Sequence, residues 1–282
     1  MGLRLVLSLL VLLSGTAFAG PAAAPPTAPK TAPNDMKEIT PPQTGDSSQL
    51  KFHIGLPAWA SGISGEMGAK GAVSDVGYIS FSNILEKLDY VIPGSLSVDY
   101  GKWGVLVEGQ YVKLGLDFSA PINGPLPGPR GPTIVVGATV KMEQAFADFN
   151  LSYKVIDTDK FTLAPFVGTR FEYVKLSGTF GGTGPLGDVD ASGEQTWADP
   201  ILGVQASYQV FKPVAVVAKA DVGGFGAASK LTYQFFIGTQ ANLTRNLYLS
   251  AGYRYLSTDY NSDGFTYNVA SQGPQLTFGV YF

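Results

Sequence analysis

Cysteine is absent from the 282 residues, and histidine occurs once, at His53. The first absence excludes a disulfide framework and thiolate metal sites. The second leaves a single imidazole for acid–base chemistry, and no His-rich cluster or EF-hand loop offers a metal site. No cofactor is implied either. Charge is scarce, at 15% of residues against roughly a quarter in ordinary soluble domains. The formal net charge of −3 comes with no basic patch, so nucleic acid is not an expected partner. Past Ala19 no run approaches the ~18 consecutive apolar residues that a membrane-spanning helix requires. What is abundant is glycine, at 35 residues, together with 14 tyrosines and 17 phenylalanines. That mixture favours turns and strands over helices.

The first residues read as a secretory signal peptide over 1–19. Arg4 precedes an apolar run from Leu5 to Leu13, and Ala17-Phe18-Ala19 supplies the small-x-small cleavage pattern. Residues 20–49 follow as a linker that is expected to be disordered and periplasmic. Pro21, Pro25, Pro26, Pro29, Pro33, Pro41 and Pro42 stand there among Ala, Thr and Lys, and such a segment buries too little apolar surface to offset its ordering.

From residue 50 a period of two takes over. Pro274, Leu276, Phe278, Val280 and Phe282 fall on one face of the last segment, while Gln275, Thr277, Gly279 and Tyr281 fall on the other. The same alternation marks ten segments: 50–61, 94–100, 103–118, 134–156, 161–176, 197–211, 213–223, 229–242, 246–258 and 273–282. Between the first two, Phe81, Ile84, Leu85 and Leu88 recur at helical spacing and predict a short helix. In the third segment the phase shifts near Val112, where Leu114, Leu116 and Phe118 take over. A bulge, or exit from the apolar zone, accounts for such a shift.

Short turns at 101–102, 157–160, 212–213 and 244–246 alternate with long Gly- and Pro-rich connections. The apolar faces run for about five positions, the height of a membrane barrel's apolar band. The fold class is therefore all-β: a closed antiparallel transmembrane β-barrel over 50–282. It has ten strands, or eight if 50–61 and 94–100 do not both join the wall. Closure is required because an open strand edge has no hydrogen-bond partner in lipid.

Several stretches carry a family likeness: Trp197-Ala198-Asp199-Pro200 with Gly203, Ala220 to Gly226, and Gly252-Tyr253-Arg254-Tyr255-Leu256 with Asp259-Tyr260. Gly273-Pro274, the terminal Phe282, Phe81 to Leu88 and Gly101-Lys102-Trp103-Gly104 add to it. On these residues the chain, over about 51–282, resembles the outer-membrane β-barrel proteins of Gram-negative bacteria, and among them a poorly characterised porin-like group. The resemblance implies a multi-pass location in the outer membrane, contact with its lipid, and recognition of the last strand by the barrel assembly machinery. Phe282, Val280 and Phe278 would form that assembly signal. It implies no catalytic residues.

The polar faces direct Glu108, Arg170, Glu172, Asp199, Lys219, Asp221 and Arg254 into the lumen. Their mixed signs suit a salt-bridged, filled interior, or alternatively a selectivity ring for small solutes. His53 is the one candidate for acid–base catalysis, and it falls near the periplasmic end of the first strand. The Gly181–Gly184 and Gly223–Gly226 runs lack the Lys-Ser or Lys-Thr of a phosphate-binding loop. The expected function is structural or surface-interacting, with loops 62–93, 119–132 and 177–196 presented outward and no enzymatic activity. A passive small-solute channel is the alternative, and a lipid- or peptide-modifying enzyme the third reading.

Overall fold

The computed structural model of the chain describes residues 49–69, 72–122, 134–181 and 188–282. The expected leader, and the linker up to residue 48, lie outside them. Thirteen strands follow in order: β1 (Leu50–Trp59), β2 (Gly62–Ala69), β3 (Ala72–Ile79), β4 (Leu88–Tyr100), β5 (Trp103–Ile122), β6 (Ile134–Tyr153), β7 (Ile156–Asp157), β8 (Phe161–Gly181), β9 (Asp188–Phe211), β10 (Val214–Gly223), β11 (Leu231–Asn242), β12 (Leu247–Ser262) and β13 (Phe265–Tyr281). One helix, α1 (Phe81–Glu86), precedes β4. The wall runs β1-β4-β5-β6-β8-β9-β10-β11-β12-β13, and β13 returns to β1. This is a closed antiparallel barrel of ten strands, so the eight-strand alternative is excluded.

Closure is made by the segment with the strictest alternation. Tyr281 pairs with His53 and Gln275 with Trp59, and Phe52 and Phe282 exchange both backbone hydrogen bonds at 3.3 and 2.9 Å. Pro274, Phe278 and Phe282 are exposed on the outside, with Leu276 and Val280 half-buried beside them. Gln275, Thr277 and Gly279 are buried on the inside.

Five outward positions on β6, from Tyr153 through Leu151, Phe149 and Ala147 to Ala145, carry only apolar or aromatic side chains. Eight residue steps of about 3.3 Å, tilted by about 40°, rise roughly 20 Å, close to the apolar band of a membrane barrel. The band ends at a ladder of alternating charge. Lys113, Glu143, Lys175 and Glu194 are successive cross-strand neighbours on β5, β6, β8 and β9. Lys113 lies 3.4 Å from Glu143 and Lys175 3.9 Å from Glu194. Such pairs are cheap in water and costly in lipid, which fixes the outer limit of the band.

Four expectations need correction. The segment 50–61 is broken at Ala60–Ser61, and the wall continues along β13 as β2, from Gly62↔Gln272 to Gly68↔Thr266. The expected loop 62–93 is a β2–β3 hairpin, then α1, then the start of β4. The expected loop 177–196 is mostly strand, since β8 and β9 pair out to Gly181↔Asp188. Likewise β12 and β13 pair to Ser262↔Phe265, which leaves a two-residue turn at Asp263–Gly264. Above the band the apolar residues of these strands, such as Leu176, Phe265, Tyr267 and Val269, point inward, so the alternation runs in the opposite phase to that of the lipid-facing segments. Residues 123–133, the core of the expected loop 119–132, lie outside the described residues.

The shift of phase near Val112 is not a bulge in β5, which pairs with β6 without interruption from Trp103↔Tyr153 to Ile122↔Ile134; the irregularity there lies on β4, whose register on β5 shifts between Leu88 and Tyr90. The interior itself changes character: Leu114 still points inward, at 2% exposure, but into an apolar layer.

The band predicts the cost of a misplaced charge. Val167 lies at mid-height on β8 and is 61% exposed on the outer face. Val167→Arg should destabilise the vesicle-embedded protein by about 2–4 kcal/mol, measured by urea unfolding; an unchanged midpoint would place this face in water.

Candidate functional site: a layered barrel interior

Three layers fill the barrel from the end of the short turns upward. The lowest is a cup of about 390 Å³, walled by hydroxyls and amides such as Ser97, Gln205, Ser207 and Thr277, with Tyr248 and Tyr281 as its aromatic surfaces. Tyr248 can lie across β13 because its partner there is Gly279; a Cβ at that glycine would stand 2.1 Å from the tyrosine ring. At the rim, Lys154 bridges Asp99 at 3.2 Å, and His53 Nδ1 lies 4.0 Å from the same carboxylate. The His53 ring meets Tyr281 edge-on at 4.5 Å. Ser97 Oγ donates to Asp99 at 3.4 Å rather than to the imidazole, so this hydroxyl is not paired with the imidazole as an activated nucleophile would be.

The cup ends at a charged layer. Glu108, Lys219 and Arg254 form its ceiling. Lys219 Nζ donates to Glu108 at 2.5 Å and approaches Asp148 at 3.7 Å. Arg254 Nη2 lies 3.5 Å from Glu108, and its guanidinium donates to Gln234 Oε1. Behind them Arg170 is wholly buried. Its Nε and Nη2 clasp both oxygens of Asp148 at 2.8 and 2.9 Å, Nη2 reaches Asp221 at 2.9 Å, and Nη1 donates to Thr232 at 3.0 Å. Gln234 Nε2 donates to the second oxygen of Asp221 at 3.0 Å. Glu172 accepts from Thr258 at 2.7 Å, and Asp199 accepts from the backbone N–H of Ser229 at 2.8 Å. Two-pronged contacts of this kind to a guanidinium are the strong ones, and burial raises the cost of losing any partner.

The third layer is apolar. Ile63 and Met67 of β2, Ile84 of α1, Leu114, Met142, Val174, Leu176, Trp197, Tyr260, Phe265, Tyr267 and Val269 form one buried cluster. Trp197 stacks on Tyr260 at 4.0 Å, and Gln144 donates to the Tyr267 hydroxyl at 2.7 Å. The β2 end leans across the mouth onto β9, where a Cβ at Gly193 would stand 2.8 Å from that of Ala69. Trp59 and Phe146 separate this layer from the charged one, with the Arg254 guanidinium 5.0 and 4.9 Å from their rings.

All seven lumen residues expected from the sequence, Glu108, Arg170, Glu172, Asp199, Lys219, Asp221 and Arg254, face inward. Lys219, Glu108 and Arg254 meet at the cup's ceiling; Arg170 and Asp221 meet directly behind it. Glu172 and Asp199 are bound instead to Thr258 and Ser229. The residue that sequence reasoning passes over is Asp148, 0% exposed and the main partner of Arg170. Its signal is its register: Glu108↔Asp148↔Arg170↔Asp199 are successive neighbours on four strands. The apolar layer also escapes, because its residues come from widely separated places in the chain.

Among solved structures the chain is similar to the outer-membrane protease OmpT of Escherichia coli, at 11% identity and TM-score 0.46, over 83% of this chain and 95% of that one. It is also similar to the translocator domain of the autotransporter NalP of Neisseria meningitidis, at 10% identity and TM-score 0.40, over 85% and 90%. A third likeness is to Ail, the attachment invasion locus protein of Yersinia pestis, at 12% identity and TM-score 0.31, over 83% and 99%. Likenesses at these values carry no functional inference. No family model and no curated protein matches the chain.

Arg170 supplies the direct test of this interior. Arg170→Met leaves Asp148 and Asp221 buried without their cation, a loss of about 3–5 kcal/mol. Adding Asp148→Asn and Asp221→Asn should recover more than half of it in the same urea titration; no recovery would show that Arg170 acts by packing alone.

Proposed function

We propose that the chain is an integral outer-membrane β-barrel that does not conduct solutes and serves a structural or surface-interaction role without catalytic activity. The observation that carries this is the sealed interior. Above the cup, the layer around Arg170 is 0% exposed at Arg170, Asp148 and Asp199, and the next layer holds Val174 at 0% and Met142 at 1%. Side chains so deeply buried are out of reach of solvent, and a desolvated ion pair capped by packed hydrophobics is a barrier to ions.

The surface role is supported by what rises past the charge ladder. β5 continues beyond Lys113 to Ile122, and β8 beyond Lys175 to Gly181, each still paired with its neighbour. Two long hairpins and the β2–β3 hairpin thus stand above the apolar band, away from the short turns that would face the periplasm. The cup is the one feature that favours the channel reading, since its polar walls admit small solutes from the short-turn side.

Planar-bilayer recording of the refolded full chain separates the two. The sealed interior predicts a silent membrane over a sustained record at about ±100 mV, a range within which porins give clear steps. Stable, repeated single-channel steps would overturn it in favour of passive transport.

A further inference from the structure

The barrel wall carries a seam at one position. β1 and β4 pair from Leu50↔Tyr100 to Gly55↔Ser95 and then stop. Beyond that rung β1, and then β2, follow β13, while β4 follows β5 up to Leu88↔Leu114. Extending the register, the next rung would set Pro57 opposite Pro93. Phe52 and Ala60 direct their backbone hydrogen bonds to β13, so the odd-numbered residues of β1 face β4, Pro57 among them. By the β1–β4 register the odd-numbered residues of β4 face β1 in turn. Both members of the missing rung therefore lack the N–H that would have made it.

This seam lies within the apolar band. The pairs Ile92↔Tyr111 and Pro93↔Gln110 stand below Tyr90↔Lys113, the rung at the charge ladder. Leu56 and Ile92 flank the seam outside, at 57% and 63% exposure. A Cβ at Gly94 would meet nothing within 4 Å. Unpaired donors facing lipid cost several kcal/mol each, and two prolines remove the two nearest the last rung.

Behind the seam is a small cavity of about 30 Å³, lined by Trp59, Ile63, Ile84, Val112, Leu114 and Phe146 among others. Val112 and Leu114 are the β5 partners of Val91 and Leu88, in the part of β4 that β1 leaves unpaired. Part of this lining is Ile84, the buried residue of the six-residue α1, which links β3 to β4. The remaining lining is Met142 with the amides of Gln110 and Gln144 and the hydroxyls of Ser61 and Ser271.

We propose that the Pro57–Pro93 seam is a lateral portal through which one acyl chain of an outer-leaflet lipid enters the apolar layer, with Ile84 of α1 as its displaceable stopper. The occupant is set by what borders the seam: the opening faces hydrocarbon, its first missing rung carries no donor, and behind it lies a space lined mostly by apolar side chains, Ile84 of the short helix among them. The cavity as it stands holds about one methylene group, so entry requires Ile84 to move aside. The proposal rests on the membrane reading above, and insertion is scored separately, by heat-modifiable migration in detergent gels.

Trp59 lines the cavity and serves as reporter in the full chain carrying Trp103→Phe and Trp197→Phe. The protein is refolded into phosphatidylcholine vesicles whose acyl chains carry bromine at carbons 9 and 10, or no bromine. Bromine should quench Trp59 at least twofold. Adding Pro57→Val and Pro93→Val, which restores both donors and lets the wall zip by one rung, should remove most of the quenching. Ile84→Ala should increase it. Equal quenching in all three inserted proteins would overturn the portal, as would quenching by a free brominated fatty acid alone. A cross-linkable dimer whose formation abolishes quenching would overturn it too, assigning the seam to a second copy of the chain.

Discussion

The Arg170 guanidinium, held between Asp148 and Asp221 at 2.8–2.9 Å, is the contact on which the interior depends. It joins β8 to its neighbour β6 and, over β9, to β10, and so ties together four successive strands of the wall from inside the lumen. A cation so deeply buried survives only with its acids in place, and those acids survive only with the cation. Because each group needs the others, the layer has one arrangement. It separates a wet cup from a dry, close-packed half.

Backbone closure is the complementary constraint on the wall. In hydrocarbon every N–H needs a partner, and the ring from β1 through β13 supplies one almost throughout. The exception is the β1–β4 seam, and at its first missing rung the chain carries no donor on either side. Two opposed prolines do in sequence what a missing rung requires in chemistry. The interior behind that seam is the apolar half, whose packing rests on Ile63, Ile84, Met142 and Trp197. The wall is thus weakest where the lumen most resembles the lipid outside.

Much of this is legible in the amino-acid sequence. The alternation from Pro274 to Phe282 assigns the faces of β13 correctly, and the even count of apolar segments matches the ten-strand ring. The charged lumen residues follow from the same period. What escapes are features that alternation does not encode. Outside the band the apolar face turns inward, with Leu176, Tyr260, Phe265, Tyr267 and Val269 in the lumen, so the phase of alternation reverses and the extensions of β8, β9, β12 and β13 read as loops. Leu114 reads as a slip in phase because a single strand does not show that the interior changes from polar to apolar along its length. Pro57 and Pro93 are ordinary residues taken singly, and only the register of β1 on β4 makes them a pair. Asp148 sits on a polar face like Asn150 and Ser152, and its importance is a matter of three-dimensional neighbours.

The division of the lumen into wet and dry halves is the central claim, and the absence of native cysteine makes it directly measurable. Single thiols are introduced at Ser207, on the wall of the cup, and at Val174, in the apolar layer at 0% exposure. A membrane-impermeant maleimide is then added to the refolded protein in vesicles, with access to both membrane faces. The layered interior predicts fast labelling of Ser207→Cys and labelling of Val174→Cys at least a hundredfold slower. Comparable rates at the two positions would mean that water runs the length of the barrel, and that the layer around Arg170 is no seal.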